Sequence, residues 1–170
     1  MQRVLGIDFA ERASGAILLD IRGEVAKEWV LDLGPRDLSS EGITDKVFQL
    51  GRWVENVARF SALTGPTPKV LIEDVYPFAV NIKPVLRLQG ALFARFVGIG
   101  WTVDIQEPKR WQPHFGYRKK EHGDSKKWAA QACEQLGYVP DPKRWTTVKK
   151  RSDLCDAYLI ARYAQEVTYS

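Results

Sequence analysis

The run Val4-Leu5-Gly6-Ile7-Asp8 decides how this chain is read. Four apolar or small residues followed by an acid describe a buried strand that ends on a carboxylate. Residues 3–9 are expected to form that strand. Alternation puts Val4, Gly6 and Asp8 on one face and Leu5 and Ile7 on the other. Gly6 leaves room beside Asp8 for a close approach. Working outward, a short turn at Glu11-Arg12-Ala13 leads into a second strand over 14–20. Ile21-Arg22-Gly23-Glu24 reads as a hairpin turn, and 25–33 as a third strand ended by Gly34-Pro35. Three successive antiparallel strands open the chain.

A helix follows over about 41–63, where Ile43, Val47, Leu50, Val54 and Val57 recur at helical spacing. Gly65-Pro66-Thr67-Pro68 stops it. A strand over 69–74 ends the apolar run Val70-Leu71-Ile72 on Glu73. Next come a helix over 81–97, a fifth strand over 101–105, an irregular, basic and mobile stretch over 107–124, and a helix over 125–136. The last helix is expected over 152–165. The order predicts a three-layer α/β domain with a mixed sheet, spanning residues 1–170 as one unit.

Apolar residues make up 45% and charged residues 27% of the 170, ordinary for a soluble globular chain. No apolar stretch is long enough to cross a bilayer. Met1-Gln2-Arg3 runs straight into a strand without a signal-peptide pattern, so a cytoplasmic protein is expected, in a host cytoplasm if phage-encoded. Cys133 and Cys155 lack zinc-site spacing and read as reduced, buried thiols. The net charge of +4 is uneven: residues 107–151 hold 12 Lys or Arg and 5 Asp or Glu, a balance of +7, while the rest is at −3. Trp111, Phe115, Tyr117, Trp128 and Trp145 are interleaved with these cations. Cations with aromatics suit a polyanion with accessible bases, so a nucleic-acid partner is expected.

Four acids stand out. Asp8 and Glu73 each end a strand that otherwise reads as sheet core, where an unpartnered carboxylate is costly. Glu73 continues the phase of Leu71, whereas Asp74 points to the opposite face. Asp153 and Asp156 share a helix face with Ala157, Ile160 and Ala164, and are therefore aimed at the protein. The plainer reading of that pair is a favourable charge in a first helical turn, with Ser152 as N-cap. Taken together, four carboxylates suit a hard divalent cation: two Mg²⁺ ions, with Mn²⁺ as a substitute, would stabilise charge on both sides of a phosphodiester under hydrolysis. His114 and His122, in the basic stretch, read as solvated or DNA-contacting.

At these residues the chain resembles the RuvC family of Holliday junction resolvases, within the ribonuclease H-like superfamily. The likeness rests on Val4-Leu5-Gly6-Ile7-Asp8, Ile72-Glu73-Asp74-Val75-Tyr76 and Ser152-Asp153-Leu154-Cys155-Asp156-Ala157, and on the order of elements. It implies a ribonuclease H-like α/β/α fold with a five-stranded mixed sheet, three antiparallel strands followed by two parallel ones. It implies metal binding and catalysis by Asp8, Glu73, Asp153 and Asp156, and a homodimer acting on four-way junctions or other branched DNA in recombination and repair. Tyr76, with Phe78 as a rival, matches an aromatic that stacks in the opened junction. Lys109 and Lys126 match lysines that contact phosphate, and Arg110, Arg118, Lys119, Lys120, Lys149, Lys150 and Arg151 extend the expected DNA surface. Gly15 matches the glycine that opens the second strand. The chain departs from the family at Phe9-Ala10, where Pro-Gly is common, and in a longer, more basic loop over 113–123. Both departures suit a phage-type relative with broader tolerance for branched DNA.

The helix over 81–97, with Leu86, Leu88, Leu92, Phe93 and Phe96, is either a dimer surface or core. Other readings stay open: a ribonuclease H-like nuclease on flaps, forks or RNA–DNA hybrids, or a catalytically silent DNA-binding module. A sugar-kinase or actin relative shares a first-strand Gly-Ile-Asp but needs a second lobe and a Gly-rich phosphate loop. Asp8→Asn is expected to abolish Mg²⁺-dependent nicking of a four-way junction while sparing junction binding, as gel-shift and cleavage assays on one preparation would show. Full activity in that variant would refute the assignment.

Overall fold

The computed structural model describes residues 1–75 and 82–170. Strands β1 (Val4–Asp8), β2 (Ala13–Leu19) and β3 (Val25–Asp32) form an antiparallel meander. Helix α1 (Ser40–Thr64) leads to β4 (Lys69–Glu73), helix α2 (Ile82–Gly98) to β5 (Val103–Gln106). Strand β4 pairs parallel with β1, and β5 parallel with β4, giving the order β3-β2-β1-β4-β5. The expected five-stranded mixed sheet is therefore present, with three antiparallel and two parallel members. Short helices α3 (Pro108–Trp111) and α4 (Lys119–His122) precede α5 (Ser125–Gln135) and α6 (Val148–Tyr163).

Period-two alternation sorts the strand side chains into two cores. Leu5, Ile7, Ala16, Leu18, Val70 and Ile72 meet Leu50, Trp53 and Val57 of α1 and Leu88, Leu92 and Phe96 of α2. Val4, Ile17, Leu19 and Leu71 meet α5 and α6 on the other face. These are the three layers. Of the α2 residues considered for a dimer surface, Leu88, Leu92 and Phe96 are fully buried in the core, Phe93 packs against it, and Leu86 is exposed.

The stretch over 107–124 is not irregular. It folds into α3, a 3₁₀ turn over Pro113–Phe115 and α4. Its aromatics are the reason: Trp111 is 1% exposed, and Phe115 and Tyr117 pack on the same cluster as Trp128. Burial of such large side chains outweighs the solvation of the lysines between them. Trp111 and Trp128 are therefore core residues rather than faces for stacking bases.

Helix α6 begins four residues earlier than expected. Thr147, not Ser152, is its N-cap, accepting from the Lys150 N–H at 3.3 Å. Asp153 and Asp156 thus lie beyond the first turn, so a helix-dipole role does not account for them. The helix lies very close to the sheet. A Cβ on Gly6 would fall 2.4 Å from the Ala161 nitrogen and 2.5 Å from the Ala157 oxygen, and one on Gly15 would fall 2.3 Å from the Asp153 oxygen. All these neighbours are backbone atoms that cannot move aside singly. Gly6→Val should cost at least about 1–3 kcal/mol by overpacking, read as a lower midpoint in urea. An unchanged midpoint would contradict this contact.

Candidate active site

Four acids gather at the carboxyl ends of β1 and β4, under α6. Register explains the first two. Gly6 pairs with Leu71 and Ile7 with Ile72 across the parallel β1/β4 ladder, so Asp8 and Glu73 come next in step and on one face. The helix explains the others. Asp8 pairs with Gly15 across β1/β2, and the Asp153 backbone rests on Gly15. Asp156, less than one turn further, points to the same side. Asp153 and Asp156 are 5% and 7% exposed, whereas Asp8 and Glu73 keep partial access to solvent.

Three of the four carboxylates have identifiable support. Trp111 Nε1 donates to Glu73 Oε2 at 2.8 Å, and Gln89 Nε2 donates to the Glu73 carbonyl at 2.8 Å. Lys149 Nζ lies 2.8 Å from Asp153 Oδ2, one helical turn away, and Lys126 Nζ is ion-paired with Asp156. Sequence reasoning missed the Trp111 and Gln89 roles: an indole 38 residues from Glu73 carries no periodic signal that names its partner.

Crowding of like charge shows in the proton affinities. Burial pushes the Asp8 carboxyl up to about 8, with Asp156 pushing the same way and Lys126 opposing. Burial likewise raises Glu73 well above the usual range, helped by Asp8 and Asp156 and opposed by the Trp111 hydrogen bond. Asp156 is raised by burial against the pull of Lys126. Burial disfavours the Lys126 charge, but Asp156 and Asp8 outweigh it and raise its affinity for the proton. The cluster thus holds more negative charge than its surroundings readily balance.

The donor set is all carboxylate oxygen, which matches a hard divalent cation. Among the described residues, no three acidic, histidine or cysteine side chains stand close enough to enclose one ion as they are placed. Two of the four acids have an ammonium for a partner instead. The four residues therefore fit Mg²⁺ in kind and in excess charge, and binding an ion would require the lysines to yield.

The remaining predicted positions divide. Lys109 is largely exposed and lies 2.6 Å from Glu107. Arg110, Arg118, Lys119 and Lys120 are exposed, and Lys150 is half-buried. Arg151 Nη1 donates to the Trp145 carbonyl at 2.6 Å, so part of its guanidinium serves the fold. Lys126 and Lys149, expected at the DNA, are engaged with acids because both project from helices over the same carboxylates. Tyr76 and Phe78 lie outside the described residues. His114 meets Glu166 at 3.0 Å, and His122 folds back on Arg118. Cys133 and Cys155 are free and buried, as expected, and Cys133 Sγ donates to the Cys155 carbonyl at 3.2 Å. Among the described residues no helix is long and apolar enough to cross a membrane.

No family model matches the sequence, and no curated protein matches it. Among solved structures the likeness spans the whole fold. RuvC of T. thermophilus in complex with a Holliday junction substrate superposes with a TM-score of 0.65 at 17% identity, over 99% of this chain and 98% of that one. A second structure of Thermus thermophilus RuvC gives 0.62 at 17% identity, over 96% of each chain. The Fowlpox virus resolvase, solved with substrate Holliday junction DNA, gives 0.54 at 13% identity, over 99% of each chain. The chain therefore has the RuvC-type, ribonuclease H-like fold.

Asp8 binds its proton more tightly folded than unfolded, where its value is near 3.8. The folded chain then carries the extra proton between about pH 4 and pH 8, so stability falls as pH rises through that window. Glu73 and Asp156 shift in the same direction. In metal-free buffer the urea midpoint should drop between about pH 5 and pH 8. Asp8→Asn should flatten that slope and stabilise the protein at about pH 8 by on the order of 1 kcal/mol or more. Parallel pH profiles for the two proteins would contradict this.

Proposed function

We propose that this protein is a divalent-metal-dependent endonuclease that resolves Holliday junctions or related branched DNA by paired nicking. The observation that carries the reading is the convergence of Asp8, Glu73, Asp153 and Asp156 on one end of the sheet, in a fold shared with proteins solved on junction DNA. Buried carboxylates crowded until their proton affinities rise are a poor structural device, and a good cation site.

Asp8, Glu73, Asp153 and Asp156 would hold Mg²⁺, with Mn²⁺ as a substitute. A metal held there would supply Lewis-acid stabilisation of phosphoryl charge and would make water more acidic. The chain's own groups do the rest. Trp111 holds one Glu73 oxygen and so keeps that carboxylate aimed at the cluster. Lys126 and Lys149 balance Asp156 and Asp153 until substrate arrives, and are then available to phosphate oxygens. Lys109, Arg110, Arg118, Lys119, Lys120 and Lys150 supply the sequence-independent attraction for backbone phosphates.

A homodimer completes the reading, since two opposed strands need two sites related by a two-fold axis. The outer face of α2 supports it: Leu86 and Val97 are 43% and 47% exposed, with Gly90 and Ala94 exposed between them.

Incubation of a labelled immobile four-way junction with the protein and Mg²⁺, with all strands mapped, should yield paired symmetrical nicks that vanish in EDTA. A flap and an RNA–DNA hybrid serve as comparators. Preferential cutting of either would overturn junction resolution in favour of a broader nuclease. Absence of Mg²⁺ or Mn²⁺ binding by calorimetry would leave a silent DNA-binding module.

A further inference from the structure

The sequence holds 2 cysteines, and the fold puts them face to face. Cys133 projects from α5 and Cys155 from α6, 22 positions apart, with Cys133 Sγ 3.2 Å from the Cys155 carbonyl. The two side chains also hydrogen-bond each other. Both are free thiols. With no third cysteine to compete, a disulfide within this chain can form only across α5 and α6.

Access to the pair is one-sided. Cys155 is 4% exposed and lines a groove of about 650 Å³ between the two helices, whereas Cys133 has no exposed surface. A small oxidant entering the groove meets Cys155 first, with Cys133 behind it. That is the arrangement of an attacked thiol backed by a resolving thiol.

The pair is tied to the acid cluster. Lys126 and Cys133 stand seven apart on α5 and therefore share a face. On α6, Cys155 is the immediate neighbour of Asp156, the ion-pair partner of Lys126. Thiols and ion pair thus join the same two helices. Closing an S–S bond of about 2.0 Å draws those helices together. Helix α6 cannot yield, because the backbone of Asp153, Ala157 and Ala161 already rests on Gly15 and Gly6. Helix α5 packs mainly on α6, so α5 is the one that moves, and it carries Lys126 further over Asp156.

We propose that Cys133 and Cys155 are a latent disulfide: a peroxide oxidises the pair through the groove, and the cross-link holds Lys126 on Asp156 against a divalent cation. The Cys155 sulfur attacks one peroxide oxygen, the O–O bond breaks, and a water leaves with the thiol proton, giving a sulfenic acid. The Cys133 sulfur then attacks the Cys155 sulfur, the S–O bond breaks, and a second water leaves with the Cys133 proton. Two thiols are oxidised by two electrons, and hydrogen peroxide is reduced to two waters. The effect on cation binding rests on the nuclease reading, whereas the cross-link itself does not.

The test treats the full chain with hydrogen peroxide in metal-free buffer and then removes the peroxide with catalase. Intact mass should fall by two hydrogen atoms, and peptide mapping should join Cys133 to Cys155. The urea midpoint should rise, since the bond restrains the unfolded chain. Calorimetry with Mn²⁺ should show affinity several-fold weaker in the oxidised protein. Dithiothreitol should reverse all three changes, a comparison that needs no variant. In Cys133→Ala, dimedone should capture the sulfenic acid on Cys155, and in Cys155→Ala peroxide should leave the Mn²⁺ affinity unchanged. Absence of the intrachain cross-link overturns the proposal, as does a cross-linked protein that binds Mn²⁺ as tightly as the reduced one. If the reduced wild-type protein binds no divalent cation, the nuclease reading falls and the proposed control of cation binding falls with it, even where the mass shows the disulfide.

Discussion

The backbone contact between α6 and the first two strands governs everything else in this molecule. Gly6 and Gly15 carry no side chain, so the helix can settle with the backbone of Asp153, Ala157 and Ala161 directly on the sheet. Any larger residue would lift it. That approach sets the height of Asp153 and Asp156 above Asp8, and the parallel β1/β4 register brings Glu73 alongside. The acid cluster is thus a consequence of two missing Cβ atoms as much as of four acids. It is built on regular elements rather than on loops, which keeps its geometry tight.

Electrostatic imbalance is the second consequence. Bringing Asp8, Glu73 and Asp156 together under a helix removes water from groups that repel one another, and their proton affinities rise accordingly. Lys126 and Lys149 relieve part of this. Pairs of this kind contribute little net stability after desolvation, which fits ammoniums that exchange partners rather than permanent struts. A site so arranged is poised to take up positive charge, whether from a metal, from a proton or from its own lysines.

The basic second half of the chain acquires a different meaning in three dimensions. Its aromatics secure it: Trp111 and Trp128 lie within the α5/α6 core, and Phe115, Tyr117 and Trp145 pack against that core. This anchoring turns a lysine-rich stretch into an ordered surface around the carboxylates. It leaves Lys109, Arg110, Arg118, Lys119 and Lys120 exposed on that surface.

Much of this was legible in the sequence. Alternation in Val4-Leu5-Gly6-Ile7-Asp8 and in Val70-Leu71-Ile72-Glu73 determined two strands, their buried faces and the side on which each acid emerges, because a strand's period of two is a local property. Helical spacing likewise placed Asp153 and Asp156 on the inward face of the last helix. What the tertiary structure alone decided depends on contacts between remote segments. Thr147 rather than Ser152 starts α6 because both can cap, and packing selects between them. Trp111 became the partner of Glu73, and Lys126 that of Asp156, at sequence separations of 38 and 30. Spacing along a chain reports which face a residue occupies, whereas only the folded chain determines what comes to cover that face.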